Sequence, residues 1–281
     1  MKQRPRHQPF VYKRKDQATL RGRYLPGKRI LLVFLSGFRS VHTGKKATAI
    51  ARYAQEKGYA CLRFDYLGHG ISDGKFTDFR ISEAIRDTVG CIRQVLGRDQ
   101  AVILVGSSMG GWIAIEIARR GHLAIAGLLL IAPATNFLSE KLRRTDKGTM
   151  ARFEAQGYVD VPDNGRPGTT YRLTKAFLDD AIANEPPAGN LSLDCPVRII
   201  HGENDQSVPL ASAVLLHRQI PNSSLRIIDK GDHRLSDHIP VILSELDALV
   251  QTVSHHSEFA ATAWPESRLQ GPQSSRQRTR N

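Results

Sequence analysis

The chain has 281 residues, 41% of them hydrophobic, enough for one large domain with a well-buried core. Its apolar runs, such as LLVFL from Leu31 and GLLLIAP from Gly127, fall far short of the ~20 residues of a membrane span. The formal charge is +13, but residues 1–16 hold six Lys or Arg against one acid and residues 254–281 hold four Arg against two Glu, so over half of the excess lies at the ends.

The segment 1–16 reads as a basic N-terminal stretch without the apolar run of a secretory signal. Residues 17–253 keep 30 basic and 24 acidic residues, a net +6, and form the expected folded domain. Basic ends attract polyanions nonspecifically, so no specific nucleic-acid partner is expected. Residues 10–25 are expected to supply antiparallel edge strands. RILLVFL (29–35) is the first run apolar on nearly every position, as a strand covered on both faces should be. After it come SGFRS and a helical pattern over 44–57. HTGKK (42–46), at the start of that helix, resembles the end of a phosphate-binding loop, although the full GxxxxGK[ST] spacing is absent. YACLRFDY (59–66) and AVILVG (101–106) are further strands, with helices expected over 82–97 and 110–120. GLLLIAP (127–133) follows.

The alternation breaks over 134–194, which holds PDNGRPG (162–168), EPPAG (185–189) and helical stretches near 147–157 and 173–184. An insertion of ~60 residues is too long for an ordinary loop and is read as a helical cap over one end of the sheet. PVRIIHG (196–202), a helix over 210–220, SLRIID (224–229) and a helix over 237–252 complete the pattern. Strand–helix alternation of this kind predicts an α/β fold with a doubly wound, mostly parallel sheet. The tail 254–281, rich in Ser, Gln, Arg and Pro, is expected to be disordered. Cys61, Cys91 and Cys195 form no CxxC pair and read as buried thiols of a reducing compartment.

Gly106-Ser107-Ser108-Met109-Gly110 carries G-x-S-x-G between a strand and the helix-like GGWIAIEIARR. That is the setting of a nucleophile elbow. Only Ser108 has glycine two positions away on both sides, so Ser108 is the candidate nucleophile and Ser107 should point away. A serine needs a base and the base an orienting acid, in the order Ser, acid, His for this fold class. Asp205, past PVRIIHG, and His233, past SLRIID, lie at the carboxyl edge of the sheet, where such sheets bind ligands. His201 reads as a turn support, His238 as a residue inside the last helix, and His69 as too early in the chain. Asp232 is too close to His233 to reach its Nδ1. Two backbone amides are expected to form an oxyanion hole, those of Met109 and of Phe38 in SGFRS. No GxGxxG follows a strand and no His, Cys or acid cluster has ligand spacing, so neither a cofactor nor a metal is expected.

The pieces SGF, FDYLGHGISDG, GSSMGGW, HGENDQSVP and GDHRL, over about residues 30–240, resemble the α/β-hydrolase family. Within it they are most similar to the branch of mitochondrial palmitoyl-protein thioesterases and acyl-glucuronide esterases. The resemblance implies a cofactor-free serine hydrolase acting on acyl thioesters or esters, with a small-molecule or acylated-protein substrate. It puts the nucleophile on Ser108, the acid on Asp205 and the base on His233. The N-terminal stretch leaves little room for a transit peptide, so cytoplasm is the expected location. A short-chain carboxylesterase, a lipase-like enzyme and a non-catalytic binding protein on the same scaffold are the alternatives. Phe137, Leu138, Leu142, Met150, Phe153, Phe177 and Leu178 either line an acyl groove in the cap or pack the cap onto the sheet. Oligomeric state is not readable.

Overall fold

In the computed structural model, residues 5–136, 138, 139, 142, 145–163 and 168–260 are described. Two antiparallel strands come first, β1 (Gln8–Lys13) at the edge of the sheet and β2 (Thr19–Leu25) between it and the rest. The apolar runs then supply β3 (Ile30–Leu35), β4 (Ala60–Phe64), β5 (Ala101–Ser107) and β6 (Gly127–Ile131). Every residue of β3, β4 and β6 is buried, which explains why these runs do not alternate polar with apolar. A hairpin, β7 (Tyr158–Pro162) with β8 (Thr170–Thr174), stands apart from the main sheet. The last core strands are β9 (Val197–Gly202) and β10 (Ser223–Ile228).

The main sheet has the order β1-β2-β4-β3-β5-β6-β9-β10 and is parallel from β4 to β10. Helix α1 (Lys45–Lys57) packs on one face, and α2 (Ile81–Val95) and α3 (Met109–Arg119) on the other. Two cap helices follow, α4 (Lys147–Gln156) and α5 (Lys175–Ala183). Helix α6 (Leu210–Gln219) joins the α2 face, and α7 (Ile239–Ala260) joins α1.

The structure departs from the sequence reading in three places. The cap is not wholly helical, because it carries the β7–β8 hairpin. Leu173 and Thr174, expected in a helix, end β8, and Thr174 caps α5 by accepting from the Phe177 amide at 3.1 Å. Val159 and Val161 on one strand, and Tyr171 and Leu173 on the other, alternate with polar residues, too few on each side of the turn to outweigh the helical stretches around them. The basic N-terminal stretch contains β1, whose Phe10 is buried against Phe64 while its polar side chains face solvent. Helix α7 continues to Ala260, beyond the expected start of the tail, and residues 261–281 lie outside the described residues. All three cysteines are free and buried, and burial pushes the thiols of Cys61 and Cys195 up to about 12, leaving them inert. Among the described residues no helix is long and apolar enough to cross a membrane.

Candidate active site

Ser108 stands on the turn between β5 and α3 with φ 53° and ψ −118°, a strained conformation for a residue with a side chain. The glycines around it answer to crowding. A Cβ on Gly106 would lie 2.4 Å from the carbonyl oxygen of Gly110, and one on Gly110 would lie 2.0 Å from that of Leu35. Strand β5, helix α3 and strand β3 meet here too closely for any other residue. Ser107 ends β5, buried and in register with Ile131.

His233 lies in the loop after β10 and Asp205 in the loop after β9. His233 Nε2 is 3.0 Å from Ser108 Oγ, and its Nδ1 is 2.7 Å from Asp205 Oδ2. Asp205 Oδ1 accepts from the amides of Ser207 and Val208, both at 2.8 Å. Burial opposes ionisation of Asp205. Hydrogen bonds from His201, His233 and the Val208 amide outweigh it and hold the carboxyl far below its ordinary range. His201 does support the turn, through Val208 O at 2.9 Å, and also comes within 3.3 Å of Asp205 Oδ2. Asp232 Oδ1 accepts from the Leu235 amide at 2.7 Å, within the loop that carries His233. His238 precedes α7 and is not inside it. His69 is buried with its Nδ1 3.1 Å from the Leu67 carbonyl.

The loop after β3 carries Phe38, which lines the same cavity as Ser108. Neither the Phe38 amide nor the Met109 amide donates to a turn or loop carbonyl among the described residues. Gly37 is not in the left-handed region. What it allows is contact, since a Cβ there would lie 3.3 Å from Ser107 O and from Ser108 Cβ. The Phe38 ring meets Phe76, Tyr171 and Phe177, with centroids 5.1, 5.8 and 5.6 Å away. Arg39 pairs with Asp163 at 2.8 Å and stacks its guanidinium 4.4 Å from the Tyr171 centroid. The loop is thus tied to the β7–β8 hairpin above it. Beneath it lies a buried pair absent from the sequence reading. His42 Nδ1 is 2.8 Å from Asp65 Oδ2, and the His42 amide donates to Asp65 Oδ1 at 2.6 Å. The two residues are 23 positions apart, and only FDYLGHGISDG, which contains Asp65, hinted at them.

Two cavities lie on this side of the molecule and share Pro162 in their walls. One of about 580 Å³ reaches Ser108 and His233 and is walled by the Phe38 loop, the start of α1 and Arg234. The other, about 230 Å³, lies in the cap and is lined by Leu138, Leu142, Met150, Phe153 and Leu178, among others. Phe177 packs against Phe38 and Phe79 instead, and Phe137 lies outside the described residues. No group of three or more His, Cys, Asp or Glu among the described residues is arranged to hold a metal ion.

A family model described as the alpha/beta hydrolase family matches residues 32–252. The chain belongs to the alpha/beta hydrolase family. This alpha/beta hydrolase is 27% identical over 245 residues to the human mitochondrial palmitoyl-protein thioesterase ABHD10, covering 86% of this chain and 79% of that one. The solved structure of mouse alpha/beta hydrolase domain-containing protein 10 matches with a TM-score of 0.80 at 26% identity, covering 88% of this chain and 99% of that one. A putative hydrolase from Agrobacterium vitis matches with a TM-score of 0.78 at 30% identity, covering 87% and 98%. The resemblance seen in the motifs therefore extends over most of this alpha/beta hydrolase, and the protein is an enzyme of that family.

Proposed function

We propose that this enzyme is a cofactor-independent serine hydrolase that cleaves acyl thioesters or carboxylic esters through an acyl-enzyme. The observation that carries the reading is the hydrogen-bonded chain Ser108 Oγ, His233, Asp205 at a strained strand-to-helix turn. His233 Nε2 takes the proton of Ser108 Oγ as the oxygen attacks the acyl carbonyl. Asp205, held ionised, fixes the tautomer that leaves Nε2 free and stabilises the imidazolium. The amides of Phe38 and Met109 hold the oxyanion, a contribution worth ~100-fold or more in rate per donor. The C–S or C–O bond then breaks and His233 returns the proton to the leaving group. Water, deprotonated by His233, attacks the acyl-enzyme, releases the acid and restores Ser108. A thiol with pKa ~8.5 needs little of that proton, whereas an alkoxide depends on it, so a thioester is turned over at least as well as the matching alkyl ester.

Residues 134–194 serve as the cap, with the apolar cap cavity taking the acyl chain. Palmitoyl-protein thioester cleavage, as in the relatives' name, is one activity within this class, and acyl-glucuronide cleavage is another. Their name also makes a mitochondrial location the alternative to cytoplasm, to be decided by import into isolated mitochondria. Ser108→Ala is expected to abolish p-nitrophenyl ester hydrolysis and fluorophosphonate labelling, while Ser107→Ala keeps most of both. Labelling that survives in Ser108→Ala and disappears in Ser107→Ala would overturn the assignment.

A further inference from the structure

The cavity beside Ser108 is basic. Four cations line it, Arg39, Lys45, Lys46 and Arg234, against one carboxylate, Asp163. Arg39 and Asp163 answer one another at 2.8 Å. Lys45 lies 3.9 Å from Asp237, with both side chains largely in water, so solvent screens that contact. Lys46 is drawn into the protein, where its Nζ donates to the Arg234 carbonyl at 2.5 Å. Burial pushes its ammonium down to about 8 even though Asp232 pulls the other way, and Arg234 adds to the fall. Lys46 Nζ is thus tied to the backbone of Arg234, 188 positions away in the chain, and both cationic residues line the cavity that reaches Ser108. Their mutual repulsion is relieved when an anion enters. Both lysines come from HTGKK, the stretch whose likeness to a phosphate-binding loop the hydrolytic mechanism leaves unused. They open α1, where the cap residue Gly44 offers no side chain to the first-turn amides.

Resting on the acyl-hydrolase reading, we propose that the leaving half of the substrate carries a phosphate group, bound by Lys45, Lys46 and Arg234 in the cavity beside Ser108. Four cations and one carboxylate line the cavity, with Asp232 and Asp237 the acids facing Lys46 and Lys45. A phosphate monoester brings about −1.5 to −2 in charge and three acceptor oxygens, whereas a carboxylate brings a single charge. The apolar cap cavity beyond Pro162 suits the acyl half and not this group. Substrate thus lies across Ser108 with a greasy end and a charged end, and the phosphorylated thiol or alcohol departs with the proton from His233.

Matched thiols test this. Free 4′-phosphopantetheine and pantetheine are titrated into the Ser108→Ala protein by calorimetry, and their octanoyl thioesters are assayed with the wild type. The phosphorylated thiol is expected to bind at least about tenfold more tightly, and its thioester to show a KM lower by a similar factor. The preference should shrink as salt rises. In a Lys46→Gln, Arg234→Gln double variant the ratio between the two ligands should fall to within about twofold of one, whatever happens to absolute turnover, and Lys46→Arg should retain it. Equal binding of the two thiols by Ser108→Ala, or a ratio unchanged in the double variant, overturns the phosphate site. Phosphate-dependent binding without any thioester or ester turnover supports the site and overturns the hydrolytic reading. Turnover with no preference does the reverse.

Discussion

Asp205 has no solvent-exposed side-chain surface, yet its carboxyl is held well below the ordinary carboxylate range. Burial alone would raise its pKa from the ordinary 3.8, and the hydrogen bonds from His201, His233 and the Val208 amide reverse that. A carboxyl whose folded pKa is depressed adds stability above its unfolded pKa and loses it as pH falls through the folded one. The stability gap between wild type and Asp205→Asn should therefore be widest near neutral pH and close progressively below about pH 4. Melting temperatures of both proteins between about pH 7 and about pH 2.5 read this out. A gap that widens on acidification would show that Asp205 is not held ionised. At neutral pH the same substitution should lower kcat by about four orders of magnitude, because asparagine holds the wrong tautomer of His233. The loss should not multiply with that of His233→Ala, since the residues act as one unit.

In the proposed mechanism the cap is the element that selects the acyl group. Its cavity is apolar, and Leu138, Leu142, Met150, Phe153 and Leu178 supply much of the wall. Each methylene buried there contributes ~0.8 kcal/mol, about fourfold in kcat/KM, until the space is full. For thioesters and p-nitrophenyl esters of two to sixteen carbons, kcat/KM should climb and then level off. Met150→Trp should move the plateau to shorter chains while leaving acetate unchanged within about twofold. A wild-type profile that peaks at acetate would instead make the enzyme a short-chain carboxylesterase. Tyr171 and Asp163 hold Phe38 and Arg39, so the hairpin region and the loop after β3 are braced together.

Across the whole molecule the charge is unevenly spread, with the last 21 residues, 261–281, carrying four Arg and one Glu. Their composition predicts that a chain ending at Ala260 elutes from heparin at lower salt, with ester turnover within about twofold of the full chain. A marked fall in melting temperature on this truncation would show that the segment docks on the fold. The hydrolase fold was legible because β3, β4, β5, β6 and β9 are local apolar runs buried on nearly every position, and covered strands need no long-range information to reveal themselves. Ser108, Asp205 and His233 were legible for the same reason. In a parallel sheet every loop after a strand emerges at one edge, so chain order alone brings those three positions together. The β7–β8 hairpin was not legible, because its half-exposed strands depend on Phe38 and Arg39 for their packing. Nor were the His42–Asp65 pair, the approach of His201 to Asp205, or the meeting of Lys46 with Arg234. By itself the sequence singled out Ser108, His233 and Asp205 as the candidate nucleophile, base and acid, which the fold brings within hydrogen-bonding distance. Only the tertiary structure decided what surrounds them, because hydrogen-bond partners and cavity walls come from segments whose approach depends on register and packing across the sheet, which no local pattern encodes.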